Sequence, residues 1–353
     1  GGVERVVHIL GNALPSSVFS LRSSPIVEDP LPVSYERVCL PSLHVGRLYI
    51  PLPSLQVVRL LFSSSVLIAH LPCPTILLLA VLARIVRPKR KVLIYWHAFL
   101  QPSLSFKGLL VQLYQILALR VARACFVITT SPILRTSLLC RGFSPHSVTI
   151  LPCSLSPQAE ASLKLLRPSL SEINSKGRII FIGRLDSYKR VDWLVQSISK
   201  APAVLELHII GDGPNRKSLE QLVRRIISAP QRVIFHGIVS EQDKYRLLSI
   251  CNLMVLPSDR CNEAFGIVQL EAMAAGLPSL AFNLPHSGMH WVSALDSLNW
   301  SGTSSDLHLV LQKIFTDHNL LVDLSLQARD RYDRMFAYKE WIRELCSLQK
   351  FLP

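Results

Sequence analysis

The sequence lacks the patterns that announce several common chemistries. None of its eight cysteines forms a C-x-x-C pair. That argues against both a zinc site and a disulfide framework, and it fits a reducing cytoplasm. No signal peptide is visible. No nucleic-acid-binding motif accompanies the basic residues, so no nucleic-acid partner is expected. The apolar stretch from Leu60 to Ala83 has no Lys, Arg, Asp or Glu, but Ser63, Ser64, Ser65, His70, Pro72 and Pro74 interrupt it. A membrane-spanning helix needs about 20 predominantly apolar residues in one run. The stretch instead predicts a buried strand at 66–69, a turn, and a buried helix at 75–86.

Acidic residues are also scarce in one place. None occurs between Glu36 and Glu160. Residues 1–155 carry 15 Lys and Arg against 4 acids, a net +11, while the remainder nets only +3 of the total +14. A first half so basic should meet an anionic partner, either a membrane surface or a phosphorylated acceptor. Arg87, Lys89, Arg90 and Lys91 follow the 75–86 helix and could rest on anionic head groups. We therefore expect a cytoplasmic protein, peripheral on the inner face of the plasma membrane.

What is present is a strong alternation. The length of 353 residues suits two domains, and 49% hydrophobic residues supply their cores. From residue 178 on, strands are predicted at 178–182, 204–210, 233–235, 253–256 and 279–282. Helical spacing lies between them, including 241–251 and 265–275. Such alternation implies a parallel sheet covered by helices, with the ligand at the carboxyl ends of its strands. Gly183, Gly211, His236-Gly237 and Pro257-Ser258 fall at those ends. The first half alternates less cleanly, with strands expected at 18–21, 66–69, 92–95 and 125–129 and a helix at 109–124. The divisions expected are 1–155, a Ser- and Pro-rich linker at 156–177, 178–335, and a closing helix at 336–353.

The most informative stretch is Asn262 to Pro278, NEAFGIVQLEAMAAGLP. It sets Glu263 and Glu271 eight residues apart around a loop that opens a helix, with Gly276 and Pro278 punctuating the helix end. The first turn of a helix has unpaired N–H groups and a positive dipole, which suit a phosphate. Carboxylates on either side could accept hydrogen bonds from hydroxyls. Hydroxyl, phosphate, hydroxyl is the layout of a nucleotide sugar. The bland alternative is an amphipathic helix whose two Glu face water.

This stretch resembles the E-x7-E segment of the family 4 retaining glycosyltransferases. These have the α/β GT-B fold, two Rossmann-like parallel-sheet domains facing across a cleft. The resemblance implies that Glu263 binds the donor sugar's hydroxyls and Glu271 the ribose diol. The amides of Phe265, Gly266 and Ile267 would hold the distal phosphate and sugar. Gly183-Arg184-Leu185-Asp186-Ser187-Tyr188-Lys189 resembles the family's G-R-L-x-x-x-K segment, whose Arg and Lys grip the donor diphosphate. Positive charge fixed in advance lowers the barrier to losing that diphosphate, with Arg184 able to fork and Lys189 a point charge. No Asp-x-Asp motif is present to hold a divalent metal, and none is expected.

Further positions follow from the same resemblance. His97, which follows Trp96 at the end of the strand expected at 92–95, would orient the sugar or the acceptor hydroxyl; His70 sits similarly and is the weaker candidate. Ile238, beside His236-Gly237, would lie near the base through backbone groups. Gly211-Asp212-Gly213-Pro214 resembles a structural G-x-G-P turn, and Ser131 is a weak acceptor-side candidate. FAYKEWIRELCSLQKF, from Phe336, resembles the helix that crosses back to the first domain. Gly1-Gly2 resembles the loop that approaches the diphosphate, but family members usually place a strand before it. On that ground the chain is expected to be a fragment whose first sheet lacks a central strand. A second departure is Pro285 to Trp291, where the family's Gly-Gly-x-x-Glu loop keeps only Gly288.

The activity implied is retaining transfer of a hexose from a nucleotide sugar to a glycan or lipid-linked acceptor in surface polysaccharide synthesis. Mannose from GDP-mannose is the best match. Retaining hydrolases use carboxylates about 5 Å apart, one as nucleophile. Here both Glu are committed to hydroxyls, so front-face attack is expected, with the leaving phosphate taking the acceptor's proton. The alternatives are a UDP-sugar-dependent transferase of the same fold, a sugar-nucleotide 2-epimerase, or a non-catalytic GT-B scaffold.

Overall fold

The structure is a computed structural model. It describes all residues except 1, 23–32, 47, 102–104, 170–172, 174–176, 296, 297, 299 and 349–353. The chain divides into two compact units: Gly1–Cys153 with Ile342–Pro353, and Ser154–Trp341.

The first unit opens with α1 (Gly2–Ala13), then β1 (Ser17–Arg22), β2 (Glu36–Val45), β3 (Leu48–Pro51) and α2 (Leu55–Phe62). β4 (Leu67–Leu71), α3 (Pro74–Val86), β5 (Val92–Trp96), α4 (Phe106–Ala122), β6 (Phe126–Thr129), α5 (Pro132–Leu139) and β7 (Val148–Ile150) follow. β4, β5, β6 and β7 form a parallel sheet in that order, whereas β1, β2 and β3 form a separate mixed sheet, β1 and β2 parallel and β2 and β3 antiparallel. β5 is buried along its whole length, as a central parallel strand covered on both faces should be. Gly2, expected in an open loop, is instead the first residue of α1. A Cβ added there would meet nothing within 4 Å, so packing within the protein does not demand glycine. Gly1 lies outside the described residues.

The second unit has one five-stranded parallel sheet. Its elements are α6 (Pro157–Lys164), β8 (Arg178–Ile182), α7 (Val191–Ile198), β9 (Glu206–Ile210), α8 (Arg216–Ile226), β10 (Arg232–Gly237), α9 (Glu241–Ile250), β11 (Leu253–Leu256), α10 (Val268–Ala274), β12 (Ser279–Ala281), α11 (Met289–Val292), α12 (Leu307–Thr316) and α13 (His318–Met335). A last helix, α14 (Tyr338–Ser347), runs through the division between the units. The stretch expected to be a bare linker therefore contains α6, started by Pro157 and capped by the Ser156 hydroxyl, which accepts from the Ala159 N–H at 3.2 Å. β8 after Arg178 and β11 are continuous apolar runs, β9 (ELHII) is buried from Leu207 on, and the core beneath them is filled by residues such as Phe181, Leu194, Leu207 and Leu311. The strand order is β10-β9-β8-β11-β12, so the winding reverses between β8 and β11.

Candidate functional site

The reversal between β8 and β11 fixes where a ligand can enter. In an open parallel sheet the loops leaving two such strands diverge, and the crevice beyond their carboxyl ends is the usual binding place. The loop after β8 carries Gly183, Arg184 and Lys189; the loop after β11 carries Glu263 and leads into α10. The two loops are tied together. The Asp259 N–H donates to the Tyr188 carbonyl at 2.9 Å. Arg190, held at φ +47°, pairs with Asp192 at 2.7 Å and with Asp259 at 3.3 Å, its guanidinium 3.6 Å from the centre of the Trp193 ring. A non-glycine residue in that conformation is uncommon, and here two ion pairs hold it.

This clamp brings Lys189 onto Glu263. The Lys189 ammonium donates to Glu263 Oε2, and the Lys is 7% exposed. Arg184 behaves differently. Its side chain is largely in solvent, with Nε 3.4 Å from Asp186 Oδ2, a weak exposed pair that leaves it able to swing.

α10 begins later than expected, at Val268 rather than Phe265, because Gly266 turns at φ +67°. A Cβ at Gly266 would sit 2.4 Å from the Leu256 side chain, so the loop lies against the end of β11. Among the described residues, the amides of Phe265, Gly266 and Ile267 donate no hydrogen bond. The carbonyls nearby are engaged instead. Ser287 Oγ donates to the Glu263 carbonyl at 2.6 Å, the Gly288 N–H to the Ala264 carbonyl at 2.7 Å, and Gln269 Nε2 to the Phe265 carbonyl at 2.8 Å. Gly276 ends the helix at φ +89°, with the Leu277 N–H reaching back to the Ala272 carbonyl at 2.9 Å.

α10 is not an amphipathic surface helix. Gln269 to Ala274 are all buried, and Glu271 is 3% exposed. Its charge is met by Lys244 on α9, whose Nζ lies 2.8 Å from Glu271 Oε1 and 2.8 Å from Glu241 Oε2. Leaving either member of a buried pair alone typically costs about 3–5 kcal/mol, so Lys244 accounts for the presence of a carboxylate inside the unit.

The other side of the site is made by the ends of β9 and β10. The Gly211 N–H donates to the Gly237 carbonyl at 2.7 Å, and a Cβ on Gly211 would fall 2.1 Å from the Gly183 carbonyl oxygen. Ile238 follows, 87% exposed. His236 Nε2 lies 3.0 Å from His208 Nδ1, and beyond it stand Glu206 and Arg178. Burial lowers the pKa of both histidines, with Glu206 opposing the shift at His208.

In the first unit, His97 follows β5, its N–H donating to the Leu71 carbonyl at 2.8 Å. Its Nε2 lies 2.8 Å from His70 Nδ1, and its ring stacks on Tyr95 at 4.3 Å. Desolvation holds His97 well below the usual imidazole range, with His70 adding to the shift, and pushes His70 down to about 4. Both rings are neutral at pH 7, one donating to the other. His70, the weaker sequence candidate, is thus the partner that fixes the His97 ring. Ser131 is fully buried, and its hydroxyl caps α5 by accepting from the Leu134 N–H at 3.3 Å.

Residues 176–293 match the family model described as "Glycosyl transferases group 1". Over these residues the chain is similar to that family. It is 35% identical over 117 residues to an uncharacterized glycosyltransferase of Methanocaldococcus jannaschii, covering 32% of this chain and 28% of that protein. It is 36% identical over 104 residues to the N-acetyl-alpha-D-glucosaminyl L-malate synthase of Bacillus anthracis, covering 29% of this chain and 26% of that one. It is 35% identical over 106 residues to the O-antigen chain mannosyltransferase C of Escherichia coli, again 29% and 26%. The chain thus spans little more than a quarter of these relatives' lengths. Solved structures extend the likeness along the chain. Sucrose-phosphate synthase from Thermosynechococcus elongatus superposes with a TM-score of 0.73 at 21% identity, covering 99% of this chain and 93% of that one. Anabaena HepE in complex with UDP gives 0.68 at 19%, covering 90% and 86%. At these identities the likeness speaks for the fold, and the GT-B architecture expected from the sequence is borne out.

Three features of the second unit escaped sequence reading: Lys244, Gln269, and the bracing by Ser287 and Gly288. Lys244 lies in EQDKYRLLSI, which reads as a polar surface helix; only tertiary structure reveals the carboxylate opposite. The loop at 285–291, although it departs from the family pattern, is a support of the Glu263 loop. Among the described residues, no group of three or more His, Cys, Asp or Glu is arranged to hold a metal ion.

Proposed function

We propose that the chain is a retaining hexosyltransferase. It would move a hexose from a nucleotide sugar to a glycan or lipid-linked acceptor in surface polysaccharide or lipopolysaccharide synthesis. The observation that carries this reading is the Lys189–Glu263 pair at the reversal of the sheet, with Glu271 buried eight residues on. The pair stores the two functions a donor needs side by side. A diphosphate arriving at Lys189 competes for the ammonium, which frees Glu263 to accept from the sugar hydroxyls. Arg184 swings in to share the diphosphate's growing charge, so the cations supply without a divalent metal what a metal would. Glu271 accepts from the ribose diol, and the amides of Phe265, Gly266 and Ile267 donate to the distal phosphate. His97, neutral and held by His70, orients the acceptor hydroxyl or the sugar. The leaving phosphate takes the acceptor's proton on the same face, which gives retention.

GDP-mannose is the donor we favour. Two lines support it: Trp96-His97-Ala98-Phe99, after the basic Pro88-Lys89-Arg90-Lys91 run, resembles family members that transfer mannose from GDP-mannose, and part of the chain is similar to mannosyltransferases of Escherichia coli. The UDP carried by Anabaena HepE favours a uridine nucleotide as the second reading. Turnover of a panel of GDP- and UDP-sugars, with anomeric configuration followed by proton NMR, tests the proposal. Retention is expected with one donor preferred. Lys189→Ala and Glu263→Ala should each lower kcat by about 10²–10³-fold, the usual cost of one preorganised charge-stabilising group. Wild-type turnover in either variant, inversion, or an epimerised free donor would overturn it.

A further inference from the structure

Helix α4 presents an unusual face. Phe106, Leu109, Leu110, Leu113, Ile116 and Leu117 are between 44% and 75% exposed. At about 100° per residue they form one stripe roughly 120° wide along the helix. The opposite side is packed into the first unit through Gly108, Ala118 and Ala122, all buried. The stripe is therefore a second apolar face, directed at solvent, where a helix of a soluble domain normally carries polar residues. Lys107, Arg120 and Arg123 border it and are exposed. At its far end Arg84 of α3 donates to the Ala124 carbonyl at 2.9 Å. This brings Ile85, 68% exposed, and the basic run Arg87, Lys89 and Lys91 to the same end of the helix.

We infer that this face of α4 is a docking surface for an anionic lipid bilayer, with the helix lying in the plane of the head groups. An apolar stripe with a basic border is the pattern of an in-plane membrane helix. Charge selects the occupant. The sequence has no acid from residue 37 to 159, so neither α4 nor the elements before and after it in the chain, from β3 to β7, carry a carboxylate to offset these cations. A second copy facing the first across a two-fold axis would set like-charged borders against each other. A spanning role does not fit either, because one side of α4 is committed to the protein core. Among the described residues, no helix is long and apolar enough to cross a membrane. The inference deepens the proposed reading, since a lipid-linked acceptor is met at such a surface.

The test is co-sedimentation of the full chain with vesicles of phosphatidylcholine alone and with added phosphatidylglycerol. Binding should require phosphatidylglycerol. It should fall between about 0.1 M and about 1 M salt, where the screening length shrinks from ~10 Å to ~3 Å. Leu113→Gln with Leu117→Gln should lower partitioning at least about tenfold, and Arg120→Glu several-fold. Lys217→Glu, exposed on α8 of the other unit, should leave it unchanged. Circular dichroism verifies that these surface variants fold. Undiminished vesicle binding by the leucine variant, or equal binding to neutral vesicles, overturns the inference. So does a solution dimer that the same substitutions dissolve. Nucleotide binding measured on the same samples separates the two proposals: a chain that binds nucleotide but not vesicles sinks only this one.

Discussion

Lys244 is a cation that a helix surface would normally leave in water, yet it is 4% exposed. Its position makes sense only with Glu271 and Glu241 beside it. Under the proposed function Glu271 must point both oxygens along fixed directions to receive a diol. A single rigid ion pair fixes the carboxylate plane more cheaply than packing alone. We class Lys244 as a positioning residue. Lys244→Met, similar in size but neutral, should raise the donor KM about tenfold while kcat changes little, because ground and transition states lose the same ribose contact. Lys244→Arg should recover part of the loss. An unchanged KM in a folded Lys244→Met protein would show that the pair serves packing alone.

At the scale of elements, the glycines after β8 and β9 decide how closely those two strand ends approach. Gly211 has φ +121°, and its missing Cβ is what lets the Gly183 carbonyl pass at 2.1 Å from the place a Cβ would occupy. Gly211→Ala should therefore cost at least about 3 kcal/mol in urea unfolding, through backbone strain and displacement together. Gly46→Ala is the control. It has φ +64° but nothing within 4 Å of the added Cβ, and should cost about 1 kcal/mol. Equal costs would mean the close approach is not what Gly211 is for. The same elements explain what could be read in advance. β8, β9 and β11 are predominantly apolar and closed by glycine or proline, and their bounds in the sequence and in the fold nearly coincide. β2 was missed because ERVCLPSLHV contains Pro41 and alternates buried with exposed residues. α1 was missed because two glycines before Val3 read as a loop, although Val6, Ile9 and Leu10 lie at helical spacing and are buried. Glu263 and Lys189 were legible because Glu263 opens one sequence motif and Lys189 closes another. Lys244 and Ser287 were not, because their partners lie 27 and 24 residues away.

Across the whole molecule, each unit carries one histidine pair linking neighbouring strands: His70 with His97 in the first, and His208 with His236 in the second. In all four, burial lowers the pKa, the largest cause in every case. The unfolded chain protonates these rings near the ordinary value of 6.5, whereas the folded His70 resists until about 4. Between those values the unfolded state binds more protons than the folded one, so stability is complete above about pH 6.5 and falls as the pH drops through the window. Added positive charge acts in the same direction, because residues 1–155 already net +11. Carboxylates held low by ion pairs or hydrogen bonds, such as Glu36 at about 2, lose their contribution only at lower pH, so the upper part of the window belongs to histidine. Guanidinium unfolding at about pH 7.5, 6.5 and 5.5 should give steadily lower midpoints. Replacing His70 and His208 together with Asn, which takes up no proton, should flatten the slope. A midpoint that holds constant or rises on acidification to about pH 5.5 would mean that the folded protein accommodates imidazolium at these sites, and that the neutral His70–His97 pair assigned to the acceptor side does not exist.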